Sequence, residues 1–232
     1  MQEFAVIFDF NGTMLFDTQI QYHAWDTLAK ETLGHGIDQE EFLRCTNGRT
    51  SHETVEYFWG NQVNAEQKKA LIEQKRRNYK EYCLTHPEEF QLAAGIPKIL
   101  DYLKENHIPF TIATSSNPQS VDFYFAHLQL ENWFRREAVI CSDKKFPGKP
   151  APDIYCYAAN ALGIPPEKCI VIEDAVAGTQ SARAADIGYI ILINPENDSL
   201  VRAGAQADLV IQDFDQLYEF LLKNGEDDSI KQ

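Results

Sequence analysis

The chain has 232 residues, a formal net charge of −14 and a pI near 4.8. That length buries one good core and a smaller appended domain, and the acidic balance excludes nucleic acid as a partner, because a polyanion is repelled at long range and any phosphate site must be locally basic. Five cysteines without a Cys-x-x-Cys pair fit neither a disulfide framework nor a zinc site, and no apolar run is long enough to cross a bilayer, so a reduced, cytoplasmic monomer without a membrane partner is the expected form.

In chain order, no basic and apolar leader precedes the first predicted element, the strand Phe4 to Phe8. Its short apolar run has the composition of a strand covered on both faces, and it ends on Asp9, Phe10, Asn11, Gly12 and Thr13, a carboxylate followed at once by a glycine turn. From about Thr18 to Glu89 the pattern becomes helical: Trp25, Leu28 and Ala29 share a face, as do Val55, Phe58 and Trp59, and a charged helix runs from Ala65 to Tyr82. The rest alternates. Helices are predicted at 96–105, 119–128, 153–162, 176–185 and 214–222, and strands at 110–113, 138–141, 169–172, 189–193 and 209–211. Strands separated by helices of this length predict an α/β fold with a doubly wound parallel sheet, interrupted by an inserted α-helical domain. The expected boundaries are 1–16 for the first core segment, 17–91 for the helical insertion and 92–232 for the remaining core.

Four segments at strand ends or helix starts carry chemistry. Asp9 offers a nucleophilic carboxylate; Thr114, Ser115 and Ser116 place hydroxyls after a strand; Gly148-Lys149-Pro150 puts a cation just before a helix; Glu173 and Asp174 end a strand on two adjacent acids. A nucleophile, hydroxyl donors, a fixed cation and a hard-cation site are the parts that phosphoryl transfer needs, since its catalysis is mostly positioning and charge neutralisation. Each part alone has an ordinary explanation as a turn former, cap or solvated charge.

These four segments, in this order, resemble the haloacid dehalogenase superfamily of aspartate-nucleophile phosphotransferases, and within it the phosphatases and β-phosphoglucomutases with a helical cap. The resemblance implies a Mg²⁺-dependent phosphatase of small phosphorylated metabolites, sugar phosphates first, working through an aspartyl-phosphate. A mutase of the β-phosphoglucomutase type and a binding protein that has lost turnover are the alternatives; a metal-independent dehalogenase would leave the Glu173-Asp174 pair without purpose. By resemblance Asp9 is the nucleophile, Thr114 a phosphate donor, Lys149 the charge-offsetting cation, and Asp9, the Asn11 carbonyl, Glu173 and Asp174 the Mg²⁺ set. Ser115, Ser116 and Asn117 are second donors. Asn47, Gly48, Arg49, Thr50 and Ser51 resemble the substrate-specificity loop of the cap, where a guanidinium grips a second anionic group or sugar oxygens. Asp17 to Trp25 resembles the first cap helix of β-phosphoglucomutases, which assigns a substrate contact to His23, with Trp25 as cap core.

One position departs from the family pattern. Asn11 stands where a second aspartate carries a proton to and from the reacting oxygens. An amide cannot carry it, so proton transfer is impaired unless Asp17 or His23 substitutes; the general acid–base contribution at stake is typically ~10²–10⁴ in rate.

Overall fold

The computed structural model describes residues 4–46, 50–60, 63–142 and 146–226. Residues up to Leu15 together with those from Leu92 onward form one compact unit, and Phe16–Gln91 form a second.

The first unit is built on a parallel sheet of six strands among the described residues: β1 (Ala5–Phe8), β2 (Phe110–Thr114), β3 (Ile140–Cys141), β4 (Cys169–Glu173), β5 (Tyr189–Ile193) and β6 (Leu209–Ile211), in the order β3-β2-β1-β4-β5-β6. All four residues of β1 are fully buried, which is why that run reads as continuously apolar. The chain winds outward from β1 to β3, then returns to place β4 on the other side of β1. A crevice therefore opens at the carboxyl ends of β1 and β4, where the winding reverses, and ligands of such sheets bind there. The register is continuous: Phe8 pairs Ile112 on one side and Ile172 on the other.

Helices cover both faces. Counted after the four helices of the second unit, they are α5 (Ile96–Glu105), α6 (Pro118–Leu128), α7 (Asp153–Leu162), α8 (Val176–Ala184), α9 (Ser199–Gly204) and α10 (Phe214–Glu226). In α5, buried Ile96, Ile99, Leu100 and Leu103 form the stripe that helical periodicity demands, and Pro97 occupies the first turn, where its missing N–H costs nothing. Two departures from the sequence reading stand out. The segment expected as a strand over 138–141 is a 3₁₀ turn at Arg136–Ala138, with only Ile140–Cys141 pairing β2. α9 was not expected; Asp198 caps it by accepting from Leu200 and Val201 N–H, so a local hydrogen bond, not an apolar stripe, sets its start.

The second unit consists, among the described residues, of α1 (Thr18–Leu33), α2 (Gln39–Thr46), α3 (Ser51–Trp59) and α4 (Ala65–Thr85). Trp25, Leu28, Ala29, Ile37, Phe42, Val55, Trp59 and Ile72 make its core, as expected for Trp25. Capping boxes start two of its helices, Thr50 with Glu53 for α3 and Asn64 with Gln67 for α4. No described helix in either unit is long and apolar enough to cross a membrane.

A buried ammonium lies within this helical unit. Lys75 falls on the inward line of α4 with Ile72, Tyr79 and Cys83, its Nζ 5.4 Å from the Trp25 ring centroid and 5.2 Å from that of Tyr79. It donates to Gln21 Oε1, while Gln21 Nε2 and Tyr79 Oη both donate to Asp17 Oδ2 at 2.7 Å. Burial, with Arg76 adding to it and Asp17 and Cys83 opposing, lowers the Lys75 pKa to about 8 from 10.5. Below pH 8 both folded and unfolded chains hold the proton, and the cost of the buried charge is fully present. Between about 8 and 10.5 the unfolded chain binds more protons, so stability rises with pH. Lys75→Met is therefore expected to stabilise the protein near pH 7 by up to roughly 3 kcal/mol, with the advantage shrinking toward pH 10. Urea midpoints of both proteins at the two pH values check this; the same gap at both would contradict it.

Candidate functional site

Asp9 follows β1 directly, and its N–H donates to Ile172 O at 3.0 Å, which holds the loop after β1 against β4. The residue is 6% exposed. Lys149, arriving from the loop before α7 with a side chain 9% exposed, donates to Asp9 Oδ1 at 2.5 Å and to Glu173 Oε1 at 2.6 Å. Burial disfavours that ammonium, but Asp9 and Glu173 outweigh it and raise its pKa well above the usual lysine value, so it stays charged.

Glu173, the last residue of β4, is 1% exposed and surrounded by donors. Oε1 accepts from Lys149 and, at 2.7 Å, from the Tyr155 hydroxyl; Oε2 accepts from the N–H groups of Asp174 and Ala175 at 3.0 and 3.1 Å. The carboxylate lies against Gly178 of α8, where an added Cβ would come within 1.9 Å of it. Only glycine leaves that space.

Asp174 takes the other side of the crevice. Its Oδ1 accepts from the Thr13 hydroxyl at 3.1 Å, and Gly12, at φ +84°, passes so close that a Cβ there would stand 2.1 Å from Oδ2. Burial, then repulsion from Glu173 and Asp9, push its pKa well above the ordinary carboxylate range. Oxygens of Asp9, Glu173 and Asp174 lie within 4.8 Å of one another. Among the described residues these three carboxylates share one bonded ammonium, Lys149, so acids outnumber bases in the site. A hard divalent cation with oxygen ligands answers that imbalance, and Mg²⁺, which keeps several waters, needs only a few protein oxygens.

The amide of Asn11 is held from two directions. Oδ1 accepts from Ser116 Oγ at 2.8 Å, and Nδ2 donates to Tyr124 Oη at 3.1 Å. The Tyr124 ring stacks on Phe10, with centroids 4.7 Å apart. Thr114, 2% exposed at the end of β2, accepts from Ser116 N–H at 3.1 Å, and Asn117 caps α6 by accepting from Ser120 N–H at 2.8 Å. Ser115 is exposed. The first unit thus brings together Asp9, Asn11, Thr114, Ser116, Lys149, Glu173 and Asp174, while the Asn117 side-chain oxygen makes the cap bond.

The helical unit holds the other expected residues. Thr50 is exposed and makes the α3 capping box. His23 stacks on Tyr82 at 4.7 Å, and Tyr82 stacks on His86 at 4.0 Å. Asp17 is 2% exposed and takes the two hydrogen bonds described above. Asn47, Gly48 and Arg49 lie outside the described residues. Sequence reasoning missed Thr13, Tyr124 and Tyr155. The available signal for the tyrosines was a hydroxyl on the apolar face of a helix, which must find a partner once buried.

A family profile described as haloacid dehalogenase-like hydrolase matches residues 6–192. Hexitol phosphatase A of Escherichia coli (strain K12) is 28% identical over 220 residues, covering 95% of each chain. A β-phosphoglucomutase of Bacillus subtilis (strain 168) is 32% identical over 185 residues, covering 78% of this chain and 79% of its own. Among solved structures, a HAD hydrolase of family IA, variant 3, from Entamoeba histolytica HM-1:IMSS superposes with a TM-score of 0.84 at 34% identity, over 91% of this chain and 94% of that one.

Proposed function

Because the chain belongs to the haloacid dehalogenase-like hydrolases, we propose that Asp9 takes a phosphoryl group from a small phosphorylated metabolite, sugar phosphates among them, and passes it to water. The activity is that of a phosphoric monoester hydrolase, as the name of the E. coli relative also indicates. The observation that carries this reading is the group of three carboxylates, Asp9 and Glu173 buried and Asp174 partly so, gathered with Lys149 at the reversal point of the sheet.

In the first step the Asp9 carboxylate attacks phosphorus, and the leaving oxygen departs with the electrons of its bond. Lys149 orients the attacking carboxylate and offsets negative charge. The Thr114 hydroxyl is the donor for a phosphoryl oxygen, and Ser116 would add a second only by releasing its bond to Asn11 Oδ1. Asp9 and Asp174, with the main-chain carbonyl of Asn11, would hold Mg²⁺; Glu173, with donors on both oxygens, serves the site by anchoring Lys149. When bound, the metal supplies charge neutralisation for the phosphoryl group. In the second step water attacks the aspartyl-phosphate and Asp9 leaves as a carboxylate. The helical unit, Phe16–Gln91, is the part to which we assign substrate selection, through Gly48, Arg49, Thr50 and His23.

The Bacillus relative supports one second reading, return of the phosphoryl group to a sugar hydroxyl. Dependence on a hexose bisphosphate separates the two.

Asn11 gives the reading a test. A sugar alkoxide needs a proton as it leaves, whereas an aryl oxide departs adequately as an anion. With Mg²⁺ present, Asn11→Asp is expected to accelerate hydrolysis of an alkyl phosphate by up to ~10²–10⁴ and a matched aryl phosphate much less. Ser116 already donates to the Asn11 side-chain oxygen, and the Tyr124 hydroxyl, which accepts from the Asn11 amide, would turn its own proton toward such a carboxylate. Equal acceleration of both esters would remove the proton-transfer account of Asn11. Metabolite binding with no hydrolysis of either ester by either protein would favour a binding protein and overturn the phosphatase.

A further inference from the structure

Tyr155 has no part in the chemistry above, yet it is bonded to the group that anchors the catalytic lysine. It lies on α7 with Ile154, Ala158 and Ala159 among fully or nearly fully buried neighbours, and is itself 0% exposed. A phenylalanine would fill the same space. The hydroxyl is therefore the informative atom, and its partner is Glu173 Oε1 at 2.7 Å. Lys149 Nζ reaches that same oxygen at 2.6 Å and lies 5.0 Å from the centroid of the Tyr155 ring.

The carboxylate is held at both ends. Two main-chain N–H groups fix Oε2 at the start of α8, and the phenol fixes the direction in which Oε1 points. Lysine is a point charge on a flexible stem, so the position of Nζ is set by whatever holds it. On one side that is Glu173 Oε1, shared with the phenol; on the other it is Asp9 Oδ1 at 2.5 Å, with a longer bond to Ala113 O at 3.4 Å. Take the hydroxyl away and Oε1 can turn toward Lys149, drawing Nζ off the nucleophile. The attacking oxygen then loses its fixed direction, although the elements that bind a phosphate ester are unchanged.

We infer that Tyr155 is a positioning residue for phosphoryl transfer, acting through Glu173 to keep Lys149 on the nucleophile Asp9. The inference rests on the reading of Asp9 given under the proposed function. Misplacing a reacting group costs rate more than binding, since orientation acts on the step in which bonds change.

The test uses p-nitrophenyl phosphate with Mg²⁺ and reads p-nitrophenol release in a single turnover, beside steady-state kcat and KM. Tyr155→Phe is expected to slow single-turnover release about tenfold with KM within about twofold. In a Glu173→Ala background the same change is expected to cost less than about twofold, because the phenol then has no carboxylate to direct. A Tyr155→Phe protein that releases p-nitrophenol at the wild-type rate overturns the inference. So does an equal loss in both backgrounds, which would mean that the hydroxyl acts by another route. If Tyr155→Phe does not fold, Tyr155→Leu carries the same comparison. A failure of the underlying reading looks different: the wild-type protein itself would show no Asp9-dependent release.

Discussion

Asp9→Asn is expected to lower turnover of any phosphate ester by on the order of 10⁴-fold or more while leaving the fold intact. The substitution keeps side-chain volume but replaces a carboxylate nucleophile with an amide that does not form the phosphoenzyme. The fold does not depend on that charge. β1 is fully buried and paired on both sides, the main-chain bond from Asp9 N–H to Ile172 O survives, and Lys149 keeps Glu173 as its partner. Removing one of three clustered acids also relieves repulsion on Asp174. Hydrolysis of p-nitrophenyl phosphate and a thermal midpoint, measured on the same preparation, check both halves. A variant with more than a small fraction of wild-type turnover would rule out covalent catalysis through Asp9.

Asp174→Ala is expected to raise the Mg²⁺ dissociation constant at least ~100-fold, beyond the ~10–100-fold typical of residues that only support a ligand. Its effect on stability should change sign with the metal. Without Mg²⁺ the wild-type site crowds Asp174 against Glu173 and Asp9, so deleting Asp174 relieves the fold; with Mg²⁺ at a hundred times its dissociation constant the wild type gains about 2.7 kcal/mol, of which the variant keeps little. Glu173→Ala should weaken Mg²⁺ less, because the contacts of Glu173 go to Lys149, Tyr155 and the start of α8. Calorimetric titration with Mg²⁺ decides it. Equal affinities in the wild type and Asp174→Ala would remove the metal site as drawn.

What the sequence made legible depended on how local each signal was. Asp9, Thr114 and the Glu173-Asp174 pair sit at the ends of short apolar runs, and a buried parallel strand announces itself by composition, so both the sheet and the carboxyl-end position of these residues could be read directly. Helix starts were readable where a side chain caps its own helix, as Thr50 does for α3. The segment over 138–141 was overextended, since an apolar pattern does not separate a two-residue strand from the 3₁₀ turn before it. α9 escaped because a short polar helix set by Asp198 has no stripe to detect.

The partners of the site were harder, for a reason of distance. Tyr124 is 113 residues from Asn11, and Asp174 is 161 from Thr13. Neither pairing leaves a periodicity. Glu173 shows the same limit: it stands in the acidic group that the strand end announces, but its four donors, Lys149, Tyr155 and two main-chain N–H groups, come together only in the fold.

The covalent step is the centre of the functional account, and it can be observed on the residue itself. Mixing the protein with p-nitrophenyl phosphate and Mg²⁺, quenching in acid within one turnover and mapping peptides by mass spectrometry should find one added phosphoryl group on Asp9. The Asn11 side chain favours its accumulation, because an amide gives attacking water no base. Release of p-nitrophenol in the same samples with Asp9 unmodified at every quench time, or with the phosphoryl group on another residue, would contradict the account.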